Sequence, residues 1–188
     1  SIRKAADFLL KEQNRDGSWG NHTRTKGLNV LCPYPEGPRS FRTASTSLCV
    51  IGLLTSPLKE DPAVKASLDK ALQYLLTTLP TLKRGDTRTV LGVWGHAYGL
   101  SALSRAARNL PADAPLREEL KKVASLQVKA LDQMADVQGG WGYYTFETFS
   151  KRPIGEPTSF LTATVLLAYK DAEQAFGLKA EPRIVKRA

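Results

Sequence analysis

Histidine, cysteine and methionine are scarce in this 188-residue chain, which holds 2, 2 and 1 of them. Cys32 and Cys49 are too few for a disulfide framework. Cys49 stands in an apolar run and reads as a small buried hydrophobe, whereas Cys32 lies in a loop. Zinc needs clustered thiolate or imidazole donors, and no two of His22, Cys32, Cys49 and His96 have ligand spacing, so no metal and no cofactor is expected. Long apolar runs are missing too. The longest, Leu48 to Leu54, is about seven residues, against roughly 18 for a bilayer span, so no transmembrane segment is expected. The chain has no initiator methionine and no basic-then-apolar leader; it reads as an excised or processed piece of a longer protein, and no compartment is implied.

Acidic residues are also under-represented, 18 against 27 Lys plus Arg, for a net charge of +9. The cations are scattered, with no run of five or more and no aromatic-basic signature, so a solvated basic exterior is expected and nucleic acid is not an expected partner. The 42% hydrophobic and 24% charged fractions are those of an ordered globular chain.

What is present is helical periodicity broken by turns. Residues 2 to 13 place Ile2, Ala5, Ala6, Leu9 and Leu10 on one stripe opposite Arg3, Lys4, Asp7, Lys11 and Glu12, the spacing of an amphipathic helix. The stretch Gln13 to Gly20 (QNRDGSWG) ends it, with Asp16-Gly17 supplying a residue tolerant of positive φ and Trp19 able to fold back over the helix. A loop of about 20 residues, Asn21 to Ser40, leads to Phe41 to Leu54, apolar on all sides and therefore expected in an interior. Val64 to Leu79 is again amphipathic, with Pro62 at its start. A basic loop precedes the apolar helix Trp94 to Asn109. Leu116 to Ala135, the turn Gly139 to Gly142 (GGWG) and Ser159 to Phe176 repeat the order, with Thr158 or Ser159 as N-cap.

All three tryptophans, Trp19, Trp94 and Trp141, precede glycine, which suggests one turn used three times. Lys4-Ala5, Lys70-Ala71, Lys129-Ala130 and Arg187-Ala188 recur at intervals of 66, 59 and 58, so a unit of roughly 60 residues is expected. Repeats over about 1–57, 58–113 and 114–180, with 181–188 opening a further one, make a single all-α domain. Charged helices belong outside and apolar ones inside, as in an α/α toroid or part of one; a straight two-layer solenoid satisfies the same pattern.

With these motifs the chain resembles the terpenoid cyclase and protein prenyltransferase superfamily. QNRDGSWG is similar to its QW motif, and GGWGYY followed by TSFLTATVLLAYKDA to a further copy, as in bacterial prenyltransferase/squalene oxidase repeat proteins; the likeness covers about two thirds of the chain. It implies a helical toroid, about twice as many units in a full ring, and hence self-association or a longer chain to complete one. It also implies an apolar, isoprenoid-like ligand or a protein partner on a concave face, or alternatively an enzyme of the superfamily whose catalytic acid or metal site lies outside this segment or in loop residues. The third turn departs by three residues when counted from Ala130 rather than Ala5, Gln138 stands where Asp16 would be, and the middle copy lacks the motif Gln. The DxDD acid, the DDxxD metal site and the Asp-x-Cys zinc pair of the family are missing.

Candidate residues follow from position. Gln13, Asp16, Gly17, Trp19, Gly139 and Trp141 are read as the structural turns. Trp94, His96 and Tyr98 at the start of an apolar helix, with Tyr143, Tyr144, Arg42 and Thr158, are candidates to line a ligand cleft; Phe146 and Phe149 extend the same aromatic loop. His96 and Glu156 are the candidate proton-transfer groups, beside the loop carboxylates Glu36 and Glu147. Arg39 and Arg42 at a helix N-terminus, joined by Arg84 and Arg88, are candidates to hold an anion.

Overall fold

A computed structural model describes residues 1–21, 35–84, 88–147 and 150–188; His22, Cys32 and Phe149 lie outside them. The described chain is all-α: α1 (Ile2–Lys11), α2 (Glu36–Thr55), α3 (Pro62–Thr78), α4 (Gly92–Arg108), α5 (Pro115–Met134), α6 (Ser159–Phe176) and α7 (Pro182–Arg187), with a 3-10 turn at Leu79–Thr81. No described helix is long and apolar enough to cross a membrane.

Local chemistry sets the ends. Ser1 caps α1, and Asp61 accepts from the Ala63 amide at 2.9 Å while Pro62 occupies the first turn of α3. Gly177, at φ +69°, closes α6 in the left-handed region, so that helix has the limits its periodicity predicts. Thr158 stands at its N-cap but makes no side-chain cap bond, a correction to the expected capping role.

The helices form two rows. α2, α4 and α6 lie side by side with α4 in the middle, while α3 covers α2, α5 covers α4 and α6, and α1 rests on α3. Thirteen of the 17 residues of α4 are buried, mostly Gly, Ala, Ser and Leu, because it has neighbours on three sides. The buried side of α2 is small and hydroxylic: Ser40, Thr43, Ala44, Thr46 and Ser47. Thr43, Thr46 and Ser47 return their hydroxyls to the carbonyl four residues back, so these three buried hydroxyls are satisfied within the helix.

Two of the Trp-Gly pairs are one device. Trp19 is 4% exposed and donates its indole N–H to the Leu9 carbonyl at 2.7 Å; Trp141 is fully buried and donates to the Leu131 carbonyl at 2.9 Å, ten residues back in both cases. Their backbone amides bond the hydroxyls of Thr46 and Thr162 on the following inner helices, at 2.9 and 3.1 Å. Gly17 (φ +86°) and Gly139 (φ +110°) press against the carbonyls of Lys70 in α3 and Arg187 in α7, so near that a Cβ would lie 2.3 and 2.2 Å from the oxygen. Each turn therefore fastens an outer helix to the next inner helix and to the next outer one. Gln13 adds bonds to the Gly17 and Ser67 carbonyls, each at 2.9 Å.

Three sequence expectations are corrected by this geometry. The turns align at an offset of 122, Leu9 with Leu131 and Trp19 with Trp141, so the third turn is not shorter; the Lys-Ala pairs are out of register there. Asn14 corresponds to Asp136, whose amide likewise bonds the carbonyl four residues on, and Asp136 also serves as Asp16 does by accepting from the amide two residues ahead. Trp94-Gly95 is no turn at all: it lies inside α4, and Gly95 is small because Ser40 and Leu82 crowd its Cα. Finally, α2 is not interior all round, since Phe41 and Leu48 are 41% and 47% exposed.

Candidate functional site

The uncovered side of the inner row is apolar. Residues seven apart share a helix face, and Phe41 and Leu48 on α2 and Phe160 and Leu167 on α6 are such pairs, all exposed. Trp94 and Tyr98, four apart on α4, stand between them, half-buried. Trp94 stacks on Tyr98 with centroids 5.4 Å apart and on Phe160 at 6.2 Å, while Tyr143 closes on Trp94 at 6.2 Å and on Phe160 at 6.0 Å. Tyr143 and Tyr144 are held there by a loop frame. Val90 donates to the Tyr143 carbonyl at 2.7 Å, Thr89 pairs with Tyr144, and Gly142 pairs with Pro157.

Below the aromatic end the surface continues as a groove of about 490 Å³ bounded by Leu48, Ile51, Tyr98 and Leu167. It ends at Arg105, Asp171 and Gln174. Asp171 is held by Arg105 at 3.3 Å and by Arg108 at 3.1 Å, so the carboxylate at this end is paired. From Trp94 to Arg105 is eleven residues of helix, about 16 Å. An aromatic platform, an aliphatic channel and an ionic end follow one another along this surface, a lining chemically matched to an elongated apolar molecule with one polar terminus.

The structure brings together Trp94, Tyr98, Tyr143 and Tyr144 of the predicted ligand residues. His96 is not with them. It is 2% exposed on the opposite side of α4, where its Nδ1 meets Gln127 Oε1 at 2.7 Å. Arg42 belongs to the first turn instead, bound to both carboxylate oxygens of Asp16 at 3.1 and 2.9 Å and lying over the Tyr74 ring. Burial opposes ionisation of Asp16, but the Ser18 hydroxyl and amide and the Arg42 charge outweigh it and hold the carboxyl below its ordinary range. Thr158 is partly buried, its hydroxyl without a hydrogen-bond partner among the described residues.

The other candidates disperse. Glu156 and Glu147 are exposed, and Glu36 is not a loop residue but opens α2, accepting from the Lys83 amide at 3.2 Å. Arg39 is bound to Glu36 and Thr81, and Arg84 to the Thr89 carbonyl at 3.3 Å, so no four-arginine anion site forms. Among the described residues no three His, Cys, Asp or Glu gather as for a metal. Cys49 is only partly buried, and burial still pushes its thiol up to about 11, out of the range of reactive thiolates. Asp132 is raised by burial and bound to the Tyr169 hydroxyl at 2.8 Å, beneath Trp141 and away from the aromatic face.

Sequence reasoning missed Phe160, Leu48 and Leu167 as surface residues, and their sevenfold spacing was the available signal. The separation of His96 from Trp94 and Tyr98 was also available: side chains two apart on a helix diverge by about 200°, whereas Trp94 and Tyr98, four apart, coincide.

Burial lowers the affinity of His96 for a proton below the ordinary 6.5, against a smaller opposite effect of Gln127. The unfolded chain takes up that proton first as pH falls, so acidification below about 6.5 favours unfolding. The stability of wild type relative to His96→Asn is expected to drop by at most about 1.4 kcal/mol per pH unit over this range in urea melts. A difference that stays flat from about pH 7 to about pH 5 would mean that His96 titrates normally.

No protein-family model matches the chain, and no solved structure matches it.

Proposed function

We propose that this chain is a helical repeat segment of the terpenoid cyclase and protein prenyltransferase type, whose inner helices bind an elongated apolar ligand of the isoprenoid class. The observation that carries the reading is the surface stack of half-buried Trp94 and Tyr98 on exposed Phe160, extended by Tyr143 and continued by the groove at Leu48 and Leu167. A contiguous apolar patch of this kind marks a binding surface. The two buried-tryptophan turns and the alternation of outer and inner helices support the family reading, and curvature of the row into a toroid is part of the same proposal. Binding is preferred to catalysis because Asp171, the carboxylate in the groove, is paired with Arg105 and Arg108, and Glu156 is exposed.

Farnesol is a suitable probe, having an isoprenoid chain and one hydroxyl. Calorimetric titration is expected to show saturable binding that Trp94→Ala or Phe160→Ala weakens roughly tenfold, about 1.4 kcal/mol, in keeping with the loss of an aromatic contact. Both side chains are at least partly exposed, so the thermal midpoint of either variant should stay within a few degrees of wild type. Undiminished farnesol binding by both variants would remove the aromatic face from consideration. Saturable capture of a protein by this face, with no farnesol binding, would replace the small-molecule reading by a partner interface.

A further inference from the structure

The side of α4 facing away from the aromatic surface holds a second feature, independent of the reading above. His96 is 2% exposed, and its Nε2 has no hydrogen-bond partner among the described residues. The tautomer follows from Gln127. That amide donates its N–H to the Val123 carbonyl at 3.1 Å, which leaves its oxygen toward the imidazole, so Nδ1 must be the donor in the 2.7 Å contact. Nε2 then carries a lone pair and needs a donor. Burial keeps the ring neutral at pH 7, so the lone pair persists there.

His96 lines a cavity of about 350 Å³ between α4, α5 and the chain around Lys151. Its mouth carries Lys83, Arg84 and Lys151, with no carboxylate among the described lining residues, and Leu82 and Met134 give it apolar walls. Lys83 and Lys151 are exposed. Two exposed lysine cations at the rim recognise a multiply charged anion, for which phosphate oxygens offer several acceptors. The buried acceptor recognises a hydroxyl, because an orphaned buried nitrogen is costly and a matching O–H satisfies it.

We propose that this cavity is a binding site for a small phosphate monoester bearing a free hydroxyl, the phosphate held at the rim by Lys83 and Lys151 and the hydroxyl donated to His96 Nε2. The carbon skeleton between the two groups lies against Leu82 and Met134. Nothing in the aromatic groove is needed for this, so the two sites stand or fall separately.

The test uses the full 188-residue chain with glycerol 3-phosphate as probe, beside glycerol, which lacks the anion, and glycerate, which carries a carboxylate in its place. His96 is followed by the carbon-bound proton signals of its ring, told apart from those of His22 with the His22→Gln variant. Glycerol 3-phosphate is expected to shift the His96 signals saturably, with glycerol and glycerate weaker by roughly tenfold or more. The double variant Lys83→Ala with Lys151→Ala, whose side chains are exposed, is expected to keep the wild-type melting temperature and to lose roughly tenfold or more in affinity. Three results would each overturn the proposal: a His96 signal unmoved by glycerol 3-phosphate, undiminished affinity in the double lysine variant, or glycerate binding as tightly as the phosphate.

Discussion

Trp141→Ala is expected to remove about 3–5 kcal/mol of stability, and Trp19→Ala a comparable amount. Trp141 is fully buried, meets Tyr169 edge-on at 5.8 Å, and caps the end of α5 through its bond to the Leu131 carbonyl. Truncation leaves a cavity the size of an indole and frees that carbonyl, so two costs add. The thermal midpoint should fall by roughly 10 °C or more for a chain of this size. Trp94→Ala is the internal comparison. Trp94 is half-buried and contacts other rings on an open surface, so its loss should cost at most about 1.5 kcal/mol. Similar costs for all three tryptophans in chemical denaturation would contradict the assignment of two to the frame and one to the surface.

The second large effect concerns Gly17. Gly17→Ala is expected to cost more than about 3 kcal/mol, of which about 1–2 kcal/mol is the strain of an L-residue at φ +86°. The remainder comes from the Lys70 carbonyl, which cannot swing aside as a flexible side chain would; α3 must move off the turn. Gly177→Ala separates the two contributions. At φ +69° Gly177 has nothing within 4 Å of an added Cβ, so its substitution should show the conformational cost alone. Urea denaturation of both variants gives the difference directly. An equal loss at the two sites would mean that the turn and α3 are not tightly joined.

The parts of the fold legible in the sequence were those written in period and punctuation. The limits of α6 followed from its apolar spacing, and the role of Gln13 to Trp19 from a polar Gly turn after an amphipathic stripe. What misled was identity without context. Trp94-Gly95 has the letters of the turn but belongs to a helix, because the residues from Val90 through Gly92 already bury and start α4. The Lys-Ala echo set the repeat one turn out of phase, since lysine at an outer helix surface is not fixed by packing, whereas the tryptophan and the carbonyl it caps are.

The site was half legible. Trp94, Tyr98, Tyr143 and Tyr144 were each singled out in the sequence, but that Tyr143 packs against Trp94 was not, and an all-apolar helix such as α2 does not reveal which of its faces lacks a partner. Only the arrangement of α2, α4 and α6 in one row leaves Phe41, Leu48, Phe160 and Leu167 uncovered. Gln127 and Lys151 are far from His96 in sequence, so the cavity they help define had no local signal.

The division between frame tryptophans and a surface tryptophan can be read in one spectrum. An amide correlation spectrum of the 15N-labelled chain contains three indole N–H signals, one for each of Trp19, Trp94 and Trp141, assignable with Trp94→Phe. On titration with farnesol the Trp94 signal alone should move and saturate, while those of Trp19 and Trp141, locked on the Leu9 and Leu131 carbonyls, stay in place. A stationary Trp94 signal, or movement at Trp19 or Trp141 in its stead, would contradict a binding role for the inner face.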